Sequence, residues 1–171
     1  YNRPWNIAVN FNVELSFDPG EITPMINEYA EAENVPIDTA RIAERIYYYT
    51  SGYPFLVSSL CKTVSEAILP GKPDGLTKKQ WEDSDLEAAV QLMLKEKNTN
   101  FDSLIKNLEN NDELYDSTFD IIINGAEFSF NTDNPAIETG VMYGIFRESK
   151  GKLKIHNRIY EQRIYNYMAS K

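Results

Sequence analysis

The sequence holds one cysteine and one histidine in 171 residues. A single thiol excludes an intrachain disulfide, and one thiol with one imidazole leaves no plausible zinc site. Cations are also in short supply: 17 Lys and Arg stand against 26 Asp and Glu, a net charge of −9. That balance argues against general binding to nucleic acid or to an anionic membrane. No apolar run approaches the ~18 residues that a membrane span requires. Nothing near Tyr1 reads as a signal peptide, and Tyr1 is not an initiator methionine. These absences point to a cytoplasmic protein without a membrane segment, and the chain reads as an excised or processed piece. What is present is apolar material: hydrophobic residues make up 42%, enough for a core.

Patterning divides the chain into an extended strand, a helical bundle and a mixed domain. In residues 7–17, Val9, Phe11, Val13, Leu15 and Phe17 alternate with Ala8, Asn10, Asn12, Glu14 and Ser16, the period of a half-buried strand. No comparable strand follows for about 100 residues, so its sheet is expected elsewhere. Asp18-Pro19-Gly20-Glu21 fits an N-cap, an N1 proline and a capping box, and opens a helix with Ile22, Met25, Ile26 and Tyr29 on its apolar side. Asp38 caps a second helix that buries Ile42, Ala43, Ile46 and Tyr47 and stops at Thr50-Ser51-Gly52, with Gly52 at the left-handed position after the helix. Pro54 starts a third helix with Phe55, Leu56, Leu60, Val64 and Ile68. Pro70 to Gly75 is a loop, Thr77 caps a short helix containing Trp81, and Ser84 or Asp85 begins another with Leu86, Ala89, Val90, Leu92 and Met93.

The pattern changes near residue 97. Phe101, Leu104, Ile105 and Leu108 mark one helix; Leu114, Phe119, Ile121, Ile122 and Ile123 mark the next, ended by Asn124-Gly125. Phe128-Ser129-Phe130 reads as a short strand. Asp133 or Asn134, followed by Pro135, opens a short helix, and Lys150-Gly151 is a hairpin turn between Ile145-Phe146-Arg147 and Leu153-Lys154-Ile155. A last helix carries Ile159, Tyr160, Ile164, Tyr165 and Met168. The expected fold is α+β, mostly α: an extended strand at 1–17, a helical lid bundle at 18–97 and a winged-helix domain at 98–171.

Three segments carry a family resemblance. The stretch Arg3-Pro4-Trp5-Asn6-Ile7-Ala8-Val9, with Phe17-Asp18-Pro19-Gly20-Glu21-Ile22, resembles a late core strand that leads into lid helices. Thr50-Ser51-Gly52-Tyr53-Pro54-Phe55-Leu56-Val57 is similar to the glycine–proline segment of AAA-like and NB-ARC domains. Leu153 to Glu161, with Asn157-Arg158-Ile159-Tyr160-Glu161 at its end, is similar to the element that closes the winged helix of bacterial AAA-like proteins. Together they resemble the C-terminal half of the AAA-like domain of STAND-type ATPases. The resemblance implies a regulatory region that senses ATP or ADP, with Mg, on a P-loop core, and couples that state to an effector domain or self-association. These 171 residues contain no G-x-x-x-x-G-K-[ST] and no Walker-B strand, so the chain itself is expected to hold no cofactor and to be inactive alone.

The resemblance also assigns residues. Pro54 would lie against the nucleotide base, next to Gly52; the competing reading is a helix-ending glycine followed by an N1 proline. His156 would meet phosphate, with a hydrogen bond or a positive charge; the competing reading is a partly exposed histidine leaving a strand. Asn157 and Arg158 would sit beside it, or serve as an N-cap and an exposed charge. Residues 147–171 carry seven cations against two carboxylates, a net +5 that leaves −14 for residues 1–146. The alternative function is a winged-helix module that binds DNA or protein. Against DNA, the helix after Asn134 has no Lys or Arg. No set of carboxylates forms a catalytic constellation, and Cys61 falls on an apolar helical face.

Overall fold

The computed structural model describes residues 3–5, 16–73 and 80–171. Among them the chain is mostly helical, with one small antiparallel sheet. It divides into two compact units, Tyr1–Lys95 and Glu96–Lys171.

The first unit contains α1 (Pro19–Glu33), α2 (Thr39–Thr50), α3 (Pro54–Thr63) and α4 (Asp83–Met93). The start of α1 is a full capping box: Asp18 Oδ1 accepts the Glu21 N–H at 2.9 Å, and Glu21 Oε1 accepts the Asp18 N–H at 3.2 Å. Asp38 caps α2. Helix α3 runs on into a π turn, Val64–Ile68, and a 3₁₀ turn, Leu69–Gly71. Beyond that turn, Lys72 Nζ donates to both carboxylate oxygens of buried Asp85, at 2.9 and 3.1 Å, and so ties the end of this run to α4.

The core of this unit is aromatic at one end. Trp5, Tyr29 and Trp81 are all buried, with ring centroids 5.1–5.5 Å apart. Contacts of this kind add ~1 kcal/mol each beyond area burial. Arg3 lies over the Tyr29 ring and pairs with Glu33, while the Ser58 hydroxyl donates to the Trp5 carbonyl. Of the strand expected at 7–17, residues 7–15 lie outside the described residues; Ser16 and Phe17, its last two, are in neither helix nor strand. Thr77 is likewise outside the described residues. Other expectations need correction here. Trp81 precedes α4 rather than sitting in a helix, because Glu82 and Asp85 form a capping box that starts α4 at Asp83. Tyr47 and Leu92 are exposed, since α2 and α4 bury narrower stripes than their apolar content suggests.

The second unit contains α5 (Thr99–Glu109), α6 (Asp112–Ile122), α7 (Pro135–Met142), β1 (Phe146–Ser149), β2 (Lys152–Ile155) and α8 (Arg158–Ala169). Each of its four helices is capped by an asparagine: Asn98, Asn111, Asn134 and Asn157 accept N–H groups of the first turn. Lys150 (φ 51°) and Gly151 (φ 76°) form the left-handed two-residue turn that twisted strands prefer. That turn sets the register: Ser149 faces Lys152, Glu148 faces Leu153, Arg147 faces Lys154 and Phe146 faces Ile155. The segment 128–130 is not a full strand. It makes one isolated bridge, Ser129 to Lys152, supported by Phe130 N–H to Gly151 O and Leu153 N–H to Phe128 O, both 2.9 Å. Helix α7 packs on β1, where a Cβ on Gly140 would lie 2.1 Å from the Phe146 ring. Ile123, expected on the apolar side of α6, is exposed just past its end.

Candidate functional site

The segment from Thr50 to Pro54 turns the chain sharply between α2 and α3. Thr50 Oγ1 donates to Ile46 O at 2.8 Å and accepts the Gly52 N–H at 3.1 Å. Ser51 and Gly52 both have positive φ, 49° and 77°. The Gly52 carbonyl accepts the Phe17 N–H at 2.8 Å, and a Cβ on Gly52 would stand 1.7 Å from the Phe17 carbonyl oxygen. The glycine therefore answers two demands, a left-handed backbone and a close backbone approach. Pro54 is buried at the first position of α3, where its missing N–H costs nothing. Structure alone accounts for both residues. Elsewhere in this unit a groove of about 450 Å³ is lined by Tyr49, Ser84, Glu87, Ala88, Val90 and Gln91, with neither Gly52 nor Pro54 among them.

The other three predicted residues lie where β2 passes into α8. His156 is only 6% exposed, not the half-exposed histidine that a strand end would give. Its backbone N–H donates to Ile145 O at 2.7 Å, and its carbonyl accepts Arg147 Nε at 2.9 Å, so its backbone is tied twice to the start of β1. Asn157 Oδ1 accepts the Tyr160 N–H at 2.8 Å. That leaves the Asn157 amide nitrogen facing His156 Nδ1 at 3.1 Å. In the neutral ring Nδ1 is then the acceptor, and Nε2 carries the proton.

Burial, with a smaller contribution from the Arg147 charge, pushes the His156 pKa down to about 4. The ring is neutral at physiological pH, which removes the positive charge that the sequence reading offered to a phosphate. Asn157 is the N-cap of α8 and buried; Arg158, the first residue of the helix, is exposed. Tyr160 anchors the same corner, with its hydroxyl donating to Asn100 Oδ1 at 2.7 Å and its ring 6.3 Å from Phe101.

The structure thus brings His156, Asn157 and Arg158 together in the second unit, while Gly52 and Pro54 belong to the first. Sequence reading passed over the Arg147 link to the His156 carbonyl and the placing of Arg147 opposite Lys154. The second was legible in principle, because a two-residue turn at Lys150-Gly151 fixes every pair along the hairpin. Among the described residues, no group of His, Cys, Asp and Glu is arranged to hold a metal, and no helix is long and apolar enough to cross a membrane. No family model matches this chain, and neither a curated protein nor a solved structure matches it.

Proposed function

We propose that this chain is the lid and winged-helix region of a STAND-type, AAA-like ATPase. In this reading the first unit is the lid and the second the winged helix. Both respond to ATP or ADP held, with Mg, by a P-loop core outside these residues. Different contacts to the two nucleotides bias an open–closed equilibrium, which is passed to an effector domain or to self-association. The reading rests on the three sequence segments. The observation that carries it is the order of the second unit: two helices, an extended segment bridged to β2, a short helix, a hairpin and a closing helix. That order is the one the sequence reading expected of a winged helix.

A regulatory packing role is favoured over DNA reading by α7. It carries no Lys or Arg, and its end leaves Met142 (69% exposed) and Tyr143 (41%) on the surface. Base edges are read by cations and amides; a bare Met and Tyr suit a protein surface. Gly52 and Pro54 would contribute a rigid apolar turn near the base. His156 enters as a neutral hydrogen-bonding group, with Asn157 and Arg158 beside it.

The test is the coding sequence upstream of Tyr1, which should encode a P-loop and a Walker-B strand. Their absence there overturns the reading. The purified 171-residue chain should show no ATP turnover, and measurable turnover overturns it equally.

A further inference from the structure

We propose that the exposed face of the β1–β2 hairpin binds a compact phosphoryl group, held between Arg147 and Lys154. The terminal phosphates of a nucleotide are the source that the reading above suggests; the phosphoryl chemistry itself does not depend on it.

Alternation along the hairpin places Phe146, Leu153 and Ile155 in the core and Arg147, Ser149, Lys152 and Lys154 on the other face. Arg147 and Lys154 are register partners, so two cations sit directly across the strands from one another. Such a like-charge pair is unfavourable in the absence of an anion. Lys152, the next cation on β2, has its own partner, Glu127 Oε2 at 2.6 Å. The hydrogen bond from Lys152 and the charges of Lys152 and Lys154 hold Glu127 below the usual carboxylate range. Lys150 and Lys154 make no ion pair among the described residues.

Arg147 is also oriented. Its Nε is spent on the His156 carbonyl, and neither Nη has a hydrogen-bond partner among the described residues. A guanidinium fixed at one end presents the remaining donors as a fork. A phosphoryl group carries three acceptor oxygens and up to two charges, which match one fork and one ammonium.

A compact ligand fits better than a long polyanion. Residues 96–146 carry ten carboxylates against two lysines. The rest of the second unit is therefore acidic overall, and exposed Glu138 lies on cation-free α7, which disfavours a long polyanion.

The experiment titrates the full chain with orthophosphate and then ADP, at constant ionic strength with chloride as the reference. It follows the His156 ring by NMR and the melting of the second unit. His156 is the only histidine, so its resonance needs no assignment by mutation. The expected result is a saturable His156 shift and a rise in melting temperature, with ADP the tighter probe. Lys154→Glu should weaken both about tenfold. Lys62→Glu, the same charge change on the first unit, should leave all of these as in the parent. A phosphate response no different from chloride, or a Lys154→Glu variant that titrates like the parent, overturns the site. Salt-sensitive binding to duplex DNA that Lys154→Glu abolishes overturns the compact ligand. Saturable phosphate binding with ADP no tighter than orthophosphate supports the site and removes the nucleotide reading.

Discussion

The first unit buries the only cysteine and the second buries the only histidine, and they do so by different means. Cys61 lies in an apolar helical core, where burial pushes its thiol pKa far up. His156 lies at a corner made of backbone hydrogen bonds and an asparagine. The contrast extends to each unit as a whole. Residues far apart in sequence hold the first: Trp5, Tyr29 and Trp81 stack, Ser58 reaches the Trp5 carbonyl, and Phe17 lies against Gly52. Local devices shape much of the second, including four asparagine caps and a two-residue turn. Long-range contacts fail together when one is removed, whereas local devices fail singly. Each unit also contains its own reporter, a thiol in one and an imidazole in the other.

Gly52→Ala is the harshest test of this contrast. The new Cβ meets a backbone carbonyl that cannot turn aside, and φ is positive. A loss of about 4 kcal/mol in the first unit is expected. Labelling of Cys61 by a thiol reagent should speed up by several orders of magnitude, since burial protects the thiol only in the folded unit. The His156 resonance should not move. A simultaneous change at His156 would show that the units do not fail separately.

The second unit should weaken in acid. An unfolded histidine takes up its proton near pH 6.5, the folded one only near 4. Between those values the unfolded state binds more protons, so stability falls as pH drops and levels off below about 4. The total is on the order of 3 kcal/mol. Chemical denaturation followed through the second unit at pH 7.5 and pH 5 should register about 2 kcal/mol of it. His156→Gln should flatten that dependence, and an unchanged slope would place the acid sensitivity elsewhere.

How far the sequence anticipates the fold follows the same division. Asn157 as a cap, Pro135 after Asn134, the Lys150-Gly151 turn and the capping box at Asp18 are signals confined to a few residues, and each appears as expected. The Trp5–Tyr29–Trp81 cluster is not legible, because 76 residues separate its ends and no periodicity links them. Tyr47 and Leu92 show the limit of periodicity: an apolar residue at the edge of a helical stripe is buried only if a neighbour covers it. Of the candidate site, the sequence placed His156 just after β2 but not its burial, which depends on the contacts of Ile145 and Arg147. The Gly52 turn was legible from its residue type; its second cause, the Phe17 backbone, was not.

Gly140→Ala sharpens the account of the second unit. In a helix this change ordinarily stabilises by about 1 kcal/mol. Here the Cβ would stand 2.1 Å from Phe146 Cδ2, and Phe146 is 1% exposed. The clash should win, at a net cost of about 2 kcal/mol. Gly140→Ala with Phe146→Leu should recover part of that loss, because the smaller side chain gives way. If the single variant is more stable than the parent, α7 has room to move off β1.

The smallest effect bears directly on the claim that the second unit is built from separable parts. Asn111→Ala removes the acceptor for the Leu114 N–H, 3.0 Å from Asn111 Oδ1, and should cost about 1 kcal/mol. Asn111→Asp keeps the acceptor and adds a charge favourable to the helix dipole. Asp112 and Glu113 already occupy that first turn, so like-charge repulsion offsets the gain and stability should stay within about 0.5 kcal/mol of the parent. Asn98 Oδ1 makes the same kind of bond, to the Phe101 N–H at 2.9 Å on a different helix. If the caps act independently, Asn98→Ala and Asn111→Ala together should cost the sum of the two single losses. A double variant losing clearly more than that sum, read from denaturation midpoints, would mean that the second unit is held as cooperatively as the first.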